Sequence, residues 1–290
     1  MRITLLGTGC PVAHPRRGGA ATLIETDGAR VLVDCGSGVT QALVRAGCPG
    51  ATLDALVVTH LHSDHLVDFY QLVISSWHQG RTRPWTVHCP EPVIPVLEGM
   101  MAVWEGERAL RIDWEARRSV DGLRPDVRPL AEGRALDLGD VRLVPVLVDH
   151  QPIEPAFGFV VRHGNETAVL SGDTARCERL IAAGQGCDLL VHEVFLHREM
   201  TAGSGTRSDL TLARVAQYHT LSSEVGMVAA EMAARALALT HFVPPEFDAD
   251  ALLAEIKQSF AGPIIIGEDG MAFDLTAGTL ASGPLRARIL

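Results

Sequence analysis

A layered α/β domain is the fold class that this 290-residue sequence predicts, and three observations predict it. Short apolar or β-branched runs, such as 55–58, 141–148 and 237–240, alternate with helix-like stretches along nearly the whole chain. Several of these runs stop at an ionisable residue: Asp34, His60, His150, Asp173 and His241. No repeat, low-complexity linker or coiled-coil heptad divides the chain, so a single domain over 1–290 is expected to gather those residues into one site.

Residues 2–6 read as a strand ending in the turn Gly7-Thr8-Gly9. The loop 10–19 carries Arg16 and Arg17, candidates to touch substrate because guanidinium groups hold charged oxygens well. Residues 21–25 and 30–34 pair as strands across Asp27-Gly28. A helix over 39–46 closes at Gly47. A strand over 54–59 precedes a helix over 67–78 with Leu72 and Val73 on its apolar side. Farther on, the strand 141–148 delivers His150, and 157–162 pairs with 167–170 in a hairpin that ends at Ser171-Gly172-Asp173.

A helix over 176–183 leads to a strand over 188–192 that stops at Glu193. The polar stretch 195–209, with Gly203-Ser204-Gly205, reads as a mobile loop. The alanine-rich helix 225–235 takes a serine cap, and the strand 237–240 ends at His241. Asp248 caps an amphipathic helix through Phe260, and 263–266 and 271–275 complete the sheets. The tail 276–290 has no assignment.

All four tryptophans, Trp77, Trp85, Trp104 and Trp114, fall in an insertion over about 75–130 that also holds Arg81, Arg83, Arg108, Arg111, Arg117, Arg118, Arg124 and Arg128. It reads either as helix packing and a subunit contact or as an aromatic wall beside the substrate, with Trp77 as the named candidate.

A net charge of −10 and a pI near 5.6 argue against a nucleic-acid surface spread over the whole protein, though not against a local basic patch. Lys257 is the only lysine, so positive charge is nearly all arginine. Six cysteines without paired spacing read as buried free thiols, and no secretory or membrane segment is visible. A cytoplasmic protein is expected.

The densest chemistry is Thr59-His60-Leu61-His62-Ser63-Asp64-His65, an H-x-H-x-D-H array directly after a buried strand. One histidine there is more often a satisfied polar residue than a ligand. Three imidazoles and a carboxylate in six residues are another matter, because packing has no use for four clustered titratable groups. His60 and His62 can face one ion while Asp64 and His65 face a second.

This stretch resembles the signature of the metallo-β-lactamase superfamily. The other motifs follow in order: Asp34 in Leu32-Val33-Asp34-Cys35-Gly36, His150 in Val148-Asp149-His150, Asp173 in Ser171-Gly172-Asp173-Thr174, and His241 in Leu239-Thr240-His241-Phe242. The resemblance runs from about residue 2 to 275 and implies an αββα sandwich with two metals at one edge. Carried over residue by residue, it implies His60, His62 and His150 on one cation, Asp64, His65 and His241 on the other, and Asp173 bridging. Asp34 would orient a ligand without binding metal itself.

Nitrogen and oxygen donors without thiolate suit zinc, with manganese or iron(II) as alternatives. Two such ions lower the pKa of a shared water, which makes hydrolysis the natural reaction. Flavodiiron-like members carry a glutamate where His62 stands, and common β-lactamases a cysteine where Asp173 stands, so neither redox chemistry nor antibiotic hydrolysis is favoured.

Other segments resemble the branch that holds ribonuclease Z, small phosphodiesterases and zinc-dependent arylsulfatases. His192-Glu193 and His219-Thr220-Leu221-Ser222 are similar to its Glu/His pair, so Asp64, Glu193 and His219 are the residues expected to act in catalysis. Ribonuclease Z usually carries a basic arm, commonly between the third and fourth motifs, where this chain has room only for a hairpin. The stretch 76–84 looks closer to arylsulfatase-like members. The resulting expectation is a small organic ester substrate, an aryl sulfate or phosphodiester, processed by a homodimer. A tRNA 3′-end endonuclease is the runner-up, and a non-catalytic binding protein the third reading.

Overall fold

The computed structural model describes residues 1–117, 119–200, 202–203, 207–283 and 285–290. Arg118, Ser204 and Gly205, singled out above, lie outside the described residues.

In the first half of the chain, β1 (Arg2–Gly7), β2 (Ala21–Glu25), β3 (Arg30–Val33), α1 (Val39–Arg45), β4 (Ala55–Val57) and α2 (Phe69–His78) follow one another, then β5 (Trp85–Cys89), α3 (Ile94–Val103), α4 (Glu105–Glu115) and β6 (Pro125–Pro129). The second half holds β7 (Leu136–Leu138), β8 (Val141–Leu147), β9 (Phe157–His163), β10 (Glu166–Leu170), α5 (Glu178–Ala183), β11 (Leu189–Phe195), α6 (Asp209–Val215), α7 (Ser222–Glu231), β12 (Leu237–Val243), α8 (Ala249–Ile256) and β13 (Ile264–Ile266). The chain then returns as β14 (Ala272–Asp274), β15 (Thr279–Ser282) and β16 (Leu285–Arg288).

Two mixed sheets result, ordered β16-β15-β14-β1-β2-β3-β4-β5-β6 and β13-β12-β11-β10-β9-β8-β7. Side-chain alternation divides the apolar residues among three layers. Val31 and Val33 join Phe159, Val161 and Val191 between the sheets. Leu32 and Leu56 instead face α1 and α2 through Leu43, Phe69 and Leu72. Leu190 and Leu239 face α7 and α8 through Val225, Val228 and Leu252. Helix, sheet, sheet, helix is therefore the stacking order, an αββα sandwich.

Strands β3 to β6 run parallel, as do β10 to β13. The carboxyl ends of β3, β4 and β10 thus deliver Asp34, His60 and Asp173, and His241 lies near the end of the pairing of β12. Polar loops at such ends are where α/β sheets place ligands.

Several expectations shift. Strand β11 continues two residues past Glu193, and β12 continues through His241 to Val243. No serine caps α7: Leu221 is its N-cap, and Glu224 carboxylate accepts the Leu221 N–H at 3.2 Å. The unassigned tail extends the first sheet as an antiparallel hairpin. Helix α6 begins where the polar stretch ends, at Asp209.

The tryptophan- and arginine-rich stretch is built into the sandwich. Trp77 and Trp85 are buried among the residues under α2 and α3. Arg81 donates to Leu53 O at 2.8 Å and Pro84 O at 2.9 Å, and lies over the Trp85 ring. Trp104, between α3 and α4, and Trp114 on α4 are exposed, with Val103 and Leu110. All six cysteines are buried and unpaired. Among the described residues no helix is long and apolar enough to cross a membrane.

Candidate metal centre and acid–base pair

Asp34 leaves β3 with φ 63°, a left-handed conformation costly for a non-glycine residue. The strain turns its carboxylate under the next loop. There it accepts the Thr59 N–H at 2.8 Å, the Thr59 hydroxyl at 2.9 Å and the His65 Nδ1–H at 2.8 Å. Holding Nδ1 leaves His65 Nε2 facing inward, buried and without a hydrogen-bond partner. The Thr59 hydroxyl, donating to Asp34, accepts His60 Nδ1–H at 2.9 Å and so turns His60 Nε2 the same way.

The ring nitrogens converge. His62 Nδ1 lies 3.0 Å from His60 Nε2 and 3.1 Å from His150 Nε2, while His150 Nδ1–H donates to Tyr218 O at 2.9 Å. With Asp173 they form one group whose donor atoms lie within 4.8 Å of one another. Asp64, His65 and His241 form a second such group, with His241 Nε2 3.1 Å from Asp64 Oδ2. Asp173 Oδ2 sits between the two, 3.8 Å from His60, 3.4 Å from His65 and 3.3 Å from His241.

These residues fit a pair of divalent cations. Tetrahedral ligands about 2.0–2.1 Å from zinc lie roughly 3.3 Å from one another, close to the nitrogen separations found. Three mutually facing ring nitrogens cannot satisfy each other with protons alone, whereas a central cation takes all three lone pairs. Burial pushes His60 well below its ordinary pKa and His62 down to about 4, so both stay neutral, as metal binding requires. Burial opposes charge on Asp173, but His241 and His65 outweigh it and hold the carboxyl well below the usual range.

Backbone geometry also shapes the approach to the cluster. Opposite Glu193 and Val194 of β11, β12 carries His241 as an extra residue at φ 45°, a bulge that re-aims its ring. Gly172 precedes Asp173 at φ 59°, where a Cβ would stand 2.6 Å from Phe157 O.

Beside the cluster, Glu193 is fully buried. Its Oε1 accepts the His219 Nδ1–H at 2.8 Å, the Thr174 N–H at 3.0 Å and the Thr220 N–H at 3.3 Å. His219 joins Asp173 and His241 in a further close group of donor atoms. Burial alone would lower the His219 pKa, but the Glu193 carboxylate raises it above the ordinary histidine value. Such a pair can hold a proton at the rim of the cluster.

Thr59, Thr174 and Tyr218 were missed by the sequence reading. Their only signal was adjacency to His60, Asp173 and His219, since their work is done by backbone groups and one hydroxyl. Arg16 is exposed, and Arg17 is anchored to Thr8 Oγ1 at 2.8 Å and Gly267 O at 2.7 Å, with its guanidinium 4.3 Å from the Phe242 ring. Both line a 740 Å³ cavity that reaches Ser63 and Asp64. Trp77 is a correction: it is 4% exposed, its indole N–H donates to Ser119 O at 2.9 Å, and it packs in the core rather than forming a wall beside substrate.

An αββα sandwich with histidines and aspartates gathered at its strand ends defines the class of metallo-β-lactamase-fold hydrolases. Residues 29–242 match the family model described as "Beta-lactamase superfamily domain", and the chain belongs to that superfamily, in its ribonuclease Z branch. It is 34% identical to "Ribonuclease Z" of Mycolicibacterium paratuberculosis over 276 residues, covering 93% of this chain and 96% of the relative. In fold it is similar to the metallo-β-lactamase fold protein YhfI from Bacillus subtilis, with a TM-score of 0.72 at 21% identity over 94% of this chain and 99% of that one. It is likewise similar to the short form of human tRNase Z, with a TM-score of 0.69 at 19% identity over 95% and 99% of the two chains. The expectation of a small ester substrate finds no support in these relatives, and a name matching the runner-up comes forward.

Proposed function

We propose that this hydrolase is an RNA phosphodiesterase of the ribonuclease Z kind, cutting at the 3′ side of tRNA precursors with two divalent cations, zinc by donor type. The observation that carries the reading is the 34% identity to a protein named ribonuclease Z across 96% of that protein's length. A sulfatase reading rested on the likeness of 76–84, but that stretch ends α2 and buries Trp77 and Arg81 in the protein. The acidic net charge is also a poor guide, because recognition depends on local charge rather than the total.

His60, His62 and His150 would hold one cation, Asp64, His65 and His241 the other, and the two carboxylate oxygens of Asp173 suit it to both. When bound, the cations supply a water of lowered pKa and neutralise charge on the attacked phosphate. Asp34 keeps His65 in the tautomer that leaves Nε2 free. His219, kept protonated by Glu193, gives its proton to the departing ribose oxygen. Burial of the surrounding side chains strengthens each of these interactions by excluding water.

Metal-loaded protein should be offered p-nitrophenyl sulfate, bis-p-nitrophenyl phosphate and a 3′-extended tRNA. Cleavage of the tRNA at a single position with no sulfatase turnover is the expected outcome. Turnover of the sulfate with an intact tRNA would return the protein to the small-ester reading.

A further inference from the structure

Two neighbouring cavities with shared lining residues outline a trough that begins beside the metal cluster. The 740 Å³ cavity that reaches Ser63 and Asp64 shares Leu6, Arg45 and Asp269 with a neighbouring 390 Å³ cavity. Along them stand Arg16, Arg17, Arg45, Arg2 and Arg286, the last from the C-terminal hairpin. Among the described residues, two carboxylates line the same trough. Asp64 belongs to the metal cluster, and Asp269 is taken up by the Thr8 N–H at 2.9 Å, the Thr8 hydroxyl at 2.8 Å and the Gly18 N–H at 2.6 Å.

This is a local inversion of charge on a chain of net −10. Elsewhere on the surface Arg83, Arg128, Arg142, Arg176 and Arg235 are each paired with an Asp or Glu, while Arg30, Arg162 and Arg214 form no ion pair among the described residues but stand singly, outside the lining of either cavity. Arg2, Arg16 and Arg45 are exposed and form no ion pair among the described residues. A third cavity, of 430 Å³, also touches Arg16 and Arg17, but Glu246 and Glu268 line it too, so it offers no comparable field.

We infer that the trough is the path of an RNA strand leaving the metal cluster, with Arg45, Arg2 and Arg286 holding phosphates successively farther from the cut. The inference rests on the RNA reading above and adds the surface that binds the strand. Exposed guanidinium groups without acidic partners suit a polyanion, because each phosphate they neutralise releases condensed counterions. A small diester reaches only the metal end and ignores the far arginines.

The test is the triple variant Arg2→Gln, Arg45→Gln, Arg286→Gln in metal-loaded protein. Binding of a 3′-extended tRNA and turnover of bis-p-nitrophenyl phosphate are followed from 50 to 200 mM salt. Three lost phosphate contacts should flatten the plot of log affinity against log salt by about 2. The wild type's binding advantage should then shrink roughly 20-fold across that range, with diester turnover unchanged. Wild-type RNA binding that the triple variant matches at every salt concentration would overturn the inference and leave the RNA reading standing. A wild type that turns over the diester but neither binds nor cuts RNA would overturn both.

Discussion

Replacing Glu193 by glutamine removes one charge at nearly constant shape, which makes it the sharpest probe of the acid–base pair. The carboxylate lies 2.8 Å from His219 Nδ1 and raises the imidazole pKa against the opposing effect of burial. A carboxylate that close favours the protonated imidazole. His219 carries its proton below its raised pKa and loses it as pH climbs through that value. Without the carboxylate the loss begins at lower pH, so the alkaline limb of kcat/KM should move to lower pH. Glutamine keeps an oxygen for the Thr174 and Thr220 N–H groups, but its NH₂ falls where Glu193 Oε2 is buried without a partner. A stability loss of about 1–3 kcal/mol should accompany the kinetic change. The assay is the pH–rate profile on RNA, whose ribose oxygen is a poor leaving group, beside bis-p-nitrophenyl phosphate, whose phenolate leaves readily. A shifted limb and a larger loss on RNA are expected. An unmoved limb, or equal losses on both substrates, would refute a proton-donating role for His219.

Other perturbations have equally definite outcomes. Asp173→Ala should lower metal content towards one ion or none per chain, read by elemental analysis, because its oxygen lies between both donor groups. Asp34→Ala should weaken metal binding by roughly 10–100-fold in chelator competition, since His65 loses the partner that fixes its tautomer. Gly172→Ala should cost more than about 1–2 kcal/mol in urea unfolding, the left-handed penalty alone, because its Cβ also meets Phe157 O. Trp77→Ala should destabilise by about 3–5 kcal/mol, as a core tryptophan does. A selective change in KM at unaltered stability would restore Trp77 to the substrate wall.

What the sequence made legible was the part written in residue type and period. The H-x-H-x-D-H array and the strand ends at Asp34 and Asp173 have local signatures, and the structure brings those residues together with His150 and His241. What stayed hidden depends on tertiary geometry. The bulge at His241 shows only in its pairing with β11, and the left-handed turn at Asp34 serves a contact with Thr59, 25 residues away in the chain. Neither leaves a mark in the chain. Trp77 stayed open between core and substrate wall because an aromatic beside a motif looks the same whether it faces a cleft or a core. The basic trough was hidden in another way: Arg2, Arg45 and Arg286 are far apart in sequence, and net charge averaged them away.

The most direct measurement is the cutting of a 3′-extended tRNA by protein stripped with a chelator and then resupplied with zinc, beside Asp173→Ala treated identically. The account predicts cutting at one position that is lost on stripping, regained with zinc and absent in the variant. Cutting that persists without metal or in the variant, or a zinc-loaded wild type that leaves the tRNA whole, would contradict it.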